Sequence, residues 1–400
     1  MSKVSLRDLG PAELSGRTVL VRADLNVPME DGCITDDTRV RESLATIHHL
    51  HDAGARSVVV SHFGRPKGPE PAWSLRPVAA RLGELIHLSV RFEPELVGPG
   101  VTAAVAALED GGILVLENTR FDPRETKNDP ALAAGLAELA DVFVNDAFGA
   151  AHRAHASTTA VAEEIRRRGG RAVAGLLMEK EISMLGRLVE NPERPFVAIL
   201  GGAKVSGKAD VIRALLGRVD RLLVGGAMAN TFFKAMGLEV GASLVEEDRV
   251  AMARELMRDA GDRLLLPVDC VVADRIDEDA IARVVPRDSV AVADRIGDIG
   301  PVTRRLYAEA LRDARTVVWT GPMGVFEMDP FREGTVGLAR AVADATDRGA
   351  FTVVGGGDSA AAAEAAGVAD RLSHVSTGGG ASLEFLAGEP LPGVIALSER

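Results

Sequence analysis

Seven basic side chains follow short apolar runs in the first half of the chain. Arginine matches carboxylate and phosphate oxygens bidentately, so several arginines at one place indicate a small ligand with more than one anionic group. A single arginine is most often a solvated surface charge, but repetition after successive runs argues against that explanation for the set. His152 and His155 are equally consistent with hydrogen-bonded scaffold. The seven residues are Arg39, His62, Arg65, Arg120, His152, Arg153 and His155.

Glycine-rich loops follow the apolar runs of the second half. Glycine allows backbone N–H groups to approach a ligand closely, and a helix that begins after such a loop favours phosphate. Asp358 adds a carboxylate suited to Mg²⁺, which binds through one or two carboxylates together with phosphate oxygens. One glycine pair is more often an ordinary turn, whereas four or five after successive runs indicate a nucleotide site. The loops are Gly201–Lys208, Gly225–Asn230, Thr320–Gly324, Gly355–Ser359 and Thr377–Gly380.

The elements that position these loops alternate along the whole chain. Short runs rich in Val, Ile and Leu predict strands buried on both faces, and the longer Ala/Leu/Arg/Glu segments between them predict helices. Such alternation is typical of βαβ units, in which ligands bind at the carboxyl ends of parallel strands. The predicted strands are Thr18–Val21, Ser57–Ser61, Ile113–Leu116, Val142–Val144, Phe196–Leu200, Arg221–Val224, Val317–Thr320 and Phe351–Val354, and predicted helices include Thr38–Asp52, Leu75–Leu85 and Pro130–Ala140.

The fold class expected from this pattern is α/β, with two doubly wound, Rossmann-like parallel-sheet lobes joined by a hinge helix. We expect an N-terminal lobe over residues 1–175 that ends in a strand at Ala172–Leu176. Residues 176–387 would supply the hinge helix, predicted at Met178–Glu190, and the C-terminal lobe, because Asn191-Pro192 stops that helix. The tail, residues 388–400, ends in an apolar segment expected to pack back on the N-terminal lobe.

Composition narrows the function. The 400 residues are 46% apolar, and the net charge of −12 with only 4% aromatic residues disfavours nucleic acid, anionic membrane and base-stacking surfaces as partners. No apolar run approaches the ~18–20 residues of a membrane span, and the first residues lack the apolar core of a signal peptide. Two cysteines form no disulfide framework, so we expect a cytoplasmic protein.

Two short motifs resemble known nucleotide-binding patterns, but each lacks a residue that the pattern requires. Gly202–Lys208 fits the GxxxxGK phosphate loop, but Ala209 follows it where the motif needs a hydroxyl for Mg²⁺. Gly355-x-Gly357-x-x-Ala360 resembles a dinucleotide fingerprint, but no acidic residue ends a strand about 20 positions later. A nicotinamide-dependent dehydrogenase is therefore a less favoured alternative. An arginine-rich lobe and a glycine-rich lobe together indicate phosphoryl transfer between a nucleotide and an anionic metabolite.

Seven strings, in order along nearly the whole chain, resemble the phosphoglycerate kinase family. That resemblance implies reversible phosphoryl transfer between 1,3-bisphosphoglycerate and MgADP, giving 3-phosphoglycerate and MgATP in glycolysis. It also implies two lobes that close over a hinge. The strings are Val21–Pro28, Ser61–Lys67, Glu117–Phe121, Asn145–Gly149, Gly201–Ser206, Gly355–Ser359 and Ser373–Ser382.

The resemblance also implies roles for individual residues. Arg39 and Lys204 would neutralise the phosphoryl group during transfer, and Asp358 would hold the Mg²⁺ that accompanies the nucleotide. The glycerate ligand would bind at Asp24, Asn26, Arg39, His62, Arg65, Arg120 and Arg153. The nucleotide would bind at Lys204, Lys208, Gly297, Glu327, Gly356, Gly357, Asp358, Ser359, Gly378, Gly379 and Gly380.

The chain departs from the family pattern beside the expected nucleotide. Thr320 replaces a usual Asn, and Asp294–Gly297 replaces a usual Trp-Met-Gly-Leu at the adenine pocket. These changes motivate a second hypothesis, a nucleotide-binding interaction protein that has lost turnover. The first hypothesis, a kinase, keeps the full set of arginines and both lysines. Its expected partners are 3-phosphoglycerate or 1,3-bisphosphoglycerate and ATP or ADP, with Mg²⁺, in a monomer that binds neither nucleic acid nor membrane.

Overall fold

The computed structural model describes residues 3–400, which form two compact units. Unit 1 contains the described residues up to Ser183 together with Pro390–Arg400, and unit 2 is Met184–Glu389. Sequence analysis placed the boundary at residue 175, whereas the units separate within the following helix. Among residues 3–400 there is no helix with the length and apolar character needed to cross a membrane.

Unit 1 is built around a six-stranded, wholly parallel sheet of order β5-β6-β4-β1-β7-β8, with a small antiparallel ribbon of β2 and β3. Its strands are β1 Thr18–Arg22, β2 Met29–Glu30, β3 Cys33–Ile34, β4 Arg56–Val60, β5 Val90–Glu93, β6 Ile113–Leu116, β7 Val142–Asn145 and β8 Arg171–Ala174. Its helices are α1 Pro11–Leu14, α2 Thr38–Asp52, α3 Arg76–Ile86, α4 Pro99–Ala106, α5 Pro130–Ala137, α6 Val161–Arg167 and the start of α7 Leu176–Glu190.

Local sequence accounts for these elements. Strands β1, β6 and β7 are buried at every position, as expected for parallel strands covered on both faces. Helix α5 begins with Pro130 after Asp129, whose carboxylate accepts hydrogen bonds from the next free amides, at 2.9 and 3.1 Å. The helix ends at Ala137 rather than at the predicted Ala140, because the chain there tightens into a turn.

Helix α7 begins two residues earlier than predicted. The buried carboxylate of Asp146 accepts hydrogen bonds from the amides of Leu177 and Met178, at 2.9 and 3.2 Å, and so caps the helix start. The preceding strand therefore stops at Ala174 instead of continuing to Leu176.

Unit 2 has a second six-stranded parallel sheet, of order β11-β10-β9-β15-β16-β17, and a three-stranded antiparallel sheet of order β13-β12-β14. Its strands are β9 Phe196–Leu200, β10 Arg221–Val224, β11 Leu264–Leu265, β12 Asp269–Ala273, β13 Arg283–Pro286, β14 Arg295–Ile299, β15 Thr316–Thr320, β16 Phe351–Gly355 and β17 His374–Ser376. Its helices after α7 are α8 Ala209–Leu216, α9 Met228–Ala235, α10 Val250–Ala260, α11 Pro301–Ala310, α12 Glu333–Asp347, α13 Gly357–Ala365 and α14 Gly380–Ala387.

The end of the chain belongs to unit 1. Its short helix α15, Pro392–Ile395, is held by Asn145, whose side-chain amide donates to the Gly393 carbonyl at 3.0 Å. The amide of Ser398 then donates to the carbonyl of Ala172, at 2.7 Å. The tail therefore contacts the ends of two strands of the unit 1 sheet.

Candidate active site

Four neighbouring strands of unit 1, in the order β6-β4-β1-β7, end at one edge of the sheet. Because they are parallel, the loops that follow them meet at that edge. These loops carry most of the predicted ligand-binding side chains. Asp24 and Asn26 follow β1, His62 and Arg65 follow β4, Arg120 follows β6, and His152, Arg153 and His155 follow β7.

Arg39 lies in the first turn of α2 and contacts this edge through Asp24. Its guanidinium donates to the Asp24 carboxylate at 2.5 Å. Burial raises the pKa of Asp24, but Arg39, His62 and Arg22 together lower it below its ordinary value. Asp24 is therefore ionised and fixes the direction from which Arg39 approaches the edge.

Two asparagine side chains lock the loops together. The side-chain oxygen of Asn26 accepts a hydrogen bond from the amide of Gly64 at 2.8 Å. Asn118 accepts from the amides of Phe63 and Arg120, both at 3.0 Å. The site is thus preformed across loops that are far apart in sequence.

Positive charge accumulates at this edge without enough negative charge to match it. The pKa of Arg120 is lowered by burial and then by the neighbouring guanidiniums of Arg153, Arg22 and Arg65, while Glu125 acts in the opposite direction. Within residues 3–400, the buried Nε of Arg120 has no hydrogen-bond partner. Crowded cations and an unsatisfied donor are features of an anion-binding site.

The three histidines of the edge differ in role. Burial lowers the pKa of His62 to about 3, so this partly exposed ring is neutral at physiological pH. Burial also lowers the pKa of His155 to about 4, and its Nδ1 lies 3.9 Å from buried Glu125, which makes it part of the scaffold. His152 accepts a hydrogen bond from Arg153 Nε at 3.0 Å and positions that exposed arginine.

In unit 2 four of the five glycine-rich loops contribute residues to the lining of a cavity of about 420 Å³, and Thr377–Gly380 does not. The loops approach one another through backbone alone: a Cβ on Gly201 would lie 2.0 Å from the Pro322 carbonyl oxygen. Gly226 has φ +66°, and a Cβ there would lie 2.5 Å from the amide nitrogen of Gly202. Glycine is therefore required where these three loops meet.

The predicted charged residues lie at or near this cavity. The ammonium of Lys208 donates to the carbonyls of Gly201 and Thr320, at 2.6 and 3.1 Å. Burial lowers the pKa of Lys208 to about 8, and the nearby carboxylate of Asp358 acts in the opposite direction. Asp358 and Glu327 line the cavity and are exposed, and Lys204 is exposed beside the lining residue Ala203.

Helices α13 and α14 begin at the predicted glycines. Gly357, Asp358 and Ser359 form the first turn of α13, and Gly380 begins α14. Gly356 precedes α13 at φ +102°, a conformation that favours glycine. Some of these groups already have partners: Ser359 accepts from the Gly321 amide at 2.6 Å.

The Gly378 amide is likewise engaged, because it donates to the Ser376 hydroxyl at 3.1 Å. Two groups at these helix starts, the Ser359 hydroxyl and the Gly378 amide, therefore already have partners, and of the predicted residues at the helix starts only Asp358 lines the cavity.

The antiparallel sheet supplies the other wall of the cavity, through Gly297 and Asp298 of β14 and Cys270 of β12. Sequence analysis named only Gly297 among these. Burial raises the pKa of Asp298 to about 8, and its carboxylate accepts from the amide of Gly334 at 2.5 Å. Asn230, which ends the loop Gly225–Asn230 but was given no role, lines the cavity, and its side-chain oxygen is buried without a partner within residues 3–400.

Replacing Gly297 with alanine should damage the cavity wall. A Cβ at this position would lie 2.2 Å from the ring of Phe331, which is fully buried. We expect a loss of about 1–3 kcal/mol in the free energy of unfolding and a higher KM for nucleotide, with KM for the glycerate ligand unchanged. Urea denaturation and steady-state kinetics measure these quantities.

Gly217→Ala is a matched control, because its nearest atom would lie at 3.8 Å and its φ is −74°. Equal effects from Gly217→Ala and Gly297→Ala would contradict the role of Gly297 as part of the wall.

Comparisons with known proteins agree over the whole chain. The family model described as phosphoglycerate kinase matches residues 7–389. A phosphoglycerate kinase from Chloroflexus aurantiacus is 56% identical over the full length of both chains, and a cytosolic phosphoglycerate kinase from Triticum aestivum is 52% identical over 100% of this chain and 99% of its own. The matches continue among solved structures.

The phosphoglycerate kinase structure from Coxiella burnetii is 41% identical, covers 98% of each chain and has a TM-score of 0.86. The one from Pyrococcus horikoshii is 34% identical, with the same coverage and TM-score. These structures confirm the predicted fold class, with two parallel-sheet lobes. The chain belongs to the phosphoglycerate kinase family, whose members are glycolytic phosphotransferases.

Proposed function

We propose that the basic edge of unit 1 binds 3-phosphoglycerate or 1,3-bisphosphoglycerate, and that the cavity of unit 2 binds ATP or ADP with Mg²⁺. The observation that carries the proposal is the crowding of guanidiniums around the unsatisfied Nε of Arg120. A ligand with a carboxylate and a phosphate supplies the missing negative charge. On this proposal Asp24, Asn26, Arg39, His62, Arg65, Arg120 and Arg153 hold the glycerate ligand.

The reaction itself requires little covalent help from the protein. A carboxylate oxygen of 3-phosphoglycerate attacks the γ-phosphorus of ATP, a new O–P bond forms, and the bond to the ADP oxygen breaks, with no proton to transfer. Positioning and charge neutralisation therefore dominate catalysis. Arg39 and Lys204 neutralise the charge that spreads over the oxygens in transit. Because the two ligands must lie in line and away from water, we propose that the lobes close during turnover, with α7 as the hinge.

In the nucleotide site proposed for unit 2, different residues hold the phosphates and the nucleoside. Lys208 and the helix starts at Gly356–Ser359 and Gly378–Gly380 hold the phosphates, and Gly297 and Glu327 face the nucleoside. Asp358 fits Mg²⁺ carried by the nucleotide, because one carboxylate plus phosphate oxygens is a common magnesium site. Among the described residues no group of three or more His, Cys, Asp or Glu side chains could hold a metal ion. The ion would contribute neutralisation of phosphate charge.

A coupled assay with 3-phosphoglycerate and MgATP tests the function. We expect turnover well above the background without protein, and its absence would refute the proposal. Repeating the assay with GTP and ITP tests the altered wall at Asp294–Gly297. The alternative, nucleotide binding without turnover, is not favoured by full-length matches to kinases and would require calorimetric binding of ATP in a protein inactive in the assay.

We also propose a cytoplasmic monomer. Sequence matches to enzymes of glycolysis, one of them named as cytosolic, support the location. Sedimentation with and without ligands measures the oligomeric state.

Nucleotide binding should depend on pH through Lys208. With a pKa of about 8, part of this amine is neutral above that pH, and an incoming phosphate draws a proton onto it. We expect ATP affinity to fall as the pH rises from about 7 to 9, with uptake of up to about one proton per ATP near pH 8.5. Calorimetry in buffers of different ionisation enthalpy measures the number of protons taken up per ATP bound.

Lys208→Arg is the control, because arginine stays charged throughout this range. The substitution should abolish the proton uptake, and unchanged uptake would show that another group titrates.

A further inference from the structure

Beneath the basic edge of unit 1 lies a buried arginine that the proposed ligand set does not include. Arg22 ends β1 and is fully buried. Its Nε donates to the Ser157 hydroxyl at 2.9 Å, and its Nη1 donates to the Ala23 carbonyl at 2.5 Å. Its Nη2 lies 3.2 Å from Nδ1 of His62. Arg22 therefore points at one of the proposed substrate-binding side chains from below.

A buried carboxylate holds this arginine in place. Glu125 is fully buried and accepts from the Ser157 hydroxyl at 2.6 Å and from the Ser157 amide at 2.9 Å. A continuous chain of hydrogen bonds thus leads from Glu125 through Ser157 and Arg22 to His62. Its members are more than 30 positions apart in sequence and every one except His62 is buried.

The direction of the last hydrogen bond is fixed by chemistry. A guanidinium has donors only, so Nδ1 of His62 must accept, and the single ring proton of the neutral imidazole must lie on Nε2. Protonating Nδ1 would set two N–H groups and two positive charges against each other. The charged groups facing His62 are Asp24, Arg22, Arg120 and Arg39, and three of these four are cations.

We propose that Arg22 is a positioning residue that fixes His62 as the neutral Nε2–H tautomer, so that His62 offers one hydrogen-bond donor to the anionic substrate. The proposal rests on the proposed function of the basic edge as the glycerate site. It assigns His62 a role different from that of the surrounding arginines: a directional donor whose charge does not change with pH. Glu125 and Ser157 hold Arg22 at the angle that this tautomer requires.

Nitrogen NMR of the full-length protein labelled at histidine tests the tautomer without any substrate. We expect Nδ1 of His62 to give the signal of an unprotonated acceptor and Nε2 that of an N–H, unchanged between about pH 5.5 and 8. His51 is an internal control, because its Nδ1 contacts the Gly111 carbonyl at 2.9 Å and must donate. A protonated Nδ1 on His62 in the wild-type protein would overturn the proposal.

Arg22→Met tests the consequence for substrate. We expect a mixture of His62 tautomers, a pKa that moves toward the ordinary value of about 6.5, and a roughly ten- to hundredfold rise in KM for 3-phosphoglycerate that varies with pH, while kcat changes much less. Because Arg22→Met removes one of the cations that face the buried Glu125, the double variant Arg22→Met/Glu125→Gln provides a second protein with the same expected effects. An unchanged tautomer and pH profile in a folded variant would overturn the proposal.

The two measurements separate this inference from the proposed function. If the expected tautomer is present but 3-phosphoglycerate neither binds nor shifts the His62 Nε2 signal, the substrate assignment is wrong and the role of Arg22 in substrate binding falls with it. If 3-phosphoglycerate binds and turns over but the tautomer differs, only the inference about Arg22 is wrong.

Discussion

Arg39→Met should lower kcat by roughly 10²–10³-fold, with a smaller change in KM for 3-phosphoglycerate. The expected magnitude is that of removing one preorganised charge from a developing transition state. Arg39 is suited to this role because its guanidinium is held by Asp24 at 2.5 Å while remaining partly exposed at the edge proposed to bind the glycerate ligand. An interaction that strengthens as charge spreads over the transferred group appears in kcat rather than in ground-state binding. Steady-state kinetics with saturating MgATP measure both constants.

Two control variants distinguish the loss of the Arg39 charge from a loss of stability. Arg41 is two positions along the same helix, exposed and paired with Asp37, so Arg41→Met should leave the kinetics unchanged. Arg39→Met also leaves the Asp24 carboxylate without its main partner, so the free energy of unfolding should fall by about 1–3 kcal/mol. Asp24→Asn in the Arg39→Met protein should recover that stability and not the rate. A rise in KM alone, at constant kcat, would show that Arg39 binds ground states and transition states equally.

The parallel sheets were predictable because most of their strands are short, unbroken runs of apolar residues. Ile113–Leu116, Phe196–Leu200 and Arg221–Val224 match the predicted bounds, and the first two are buried at every position. A strand covered on both faces must be apolar throughout, so a short unbroken run is sufficient evidence. Bounds elsewhere shifted by a residue or two. Arg22, for example, continues β1 past the apolar run because its buried guanidinium has hydrogen-bond partners in the Ser157 hydroxyl and the Ala23 carbonyl.

The antiparallel sheet of unit 2 was not predicted, for a related reason. Strand β13 buries only Val285, and β14 contains Arg295 and Asp298, so neither forms an apolar run. Asp298 is buried against the amide of Gly334, a contact between residues 36 positions apart. Periodicity within a short segment carries no information about such a partner.

The side chains proposed to bind the ligand were easier to predict than the side chains that support them. His62 and Arg120 lie in the loops that follow β4 and β6, and the resemblance to a known family named them. Glu125 lies in a charged segment, Asp122-Pro123-Arg124-Glu125, that is typical of a solvated surface, yet it is fully buried against Ser157. The same Ser157 hydroxyl accepts a hydrogen bond from Arg22, which lies on β1, far away in the sequence. Supporting residues of this kind become visible only when the tertiary structure is known.

Lys204→Ala should lower kcat by roughly 10²–10³-fold while the dissociation constants of both ligands change little. The reason is that the ammonium acts mainly on the negative charge of the phosphoryl group during its transfer. The backbone that carries Lys204 is firmly held: the Glu246 carboxylate accepts from the amides of the next two residues, Val205 and Ser206, and from the Ser206 hydroxyl. Lys204 is itself exposed beside the cavity. Because these hydrogen bonds already fix the loop backbone, little conformational entropy of the loop is lost when the Lys204 ammonium contacts the transferred group. Calorimetry and single-turnover kinetics separate binding from chemistry.

Lys234→Ala is the matched control, since Lys234 is a partly exposed lysine of the same unit that lies 3.6 Å from Glu247 on the surface, and its loss should leave kcat unaffected. Lys208→Ala should behave differently from Lys204→Ala, because Lys208 is partly buried, donates to two backbone carbonyls and is assigned to phosphate in the ground state. Its main effect should be a weaker affinity for ATP. A large loss of ATP affinity in Lys204→Ala at unchanged kcat would contradict these two assignments. It would show that Lys204 binds the nucleotide in the ground state, and the argument that Lys204 stabilises the transition state while Lys208 binds phosphate would be wrong.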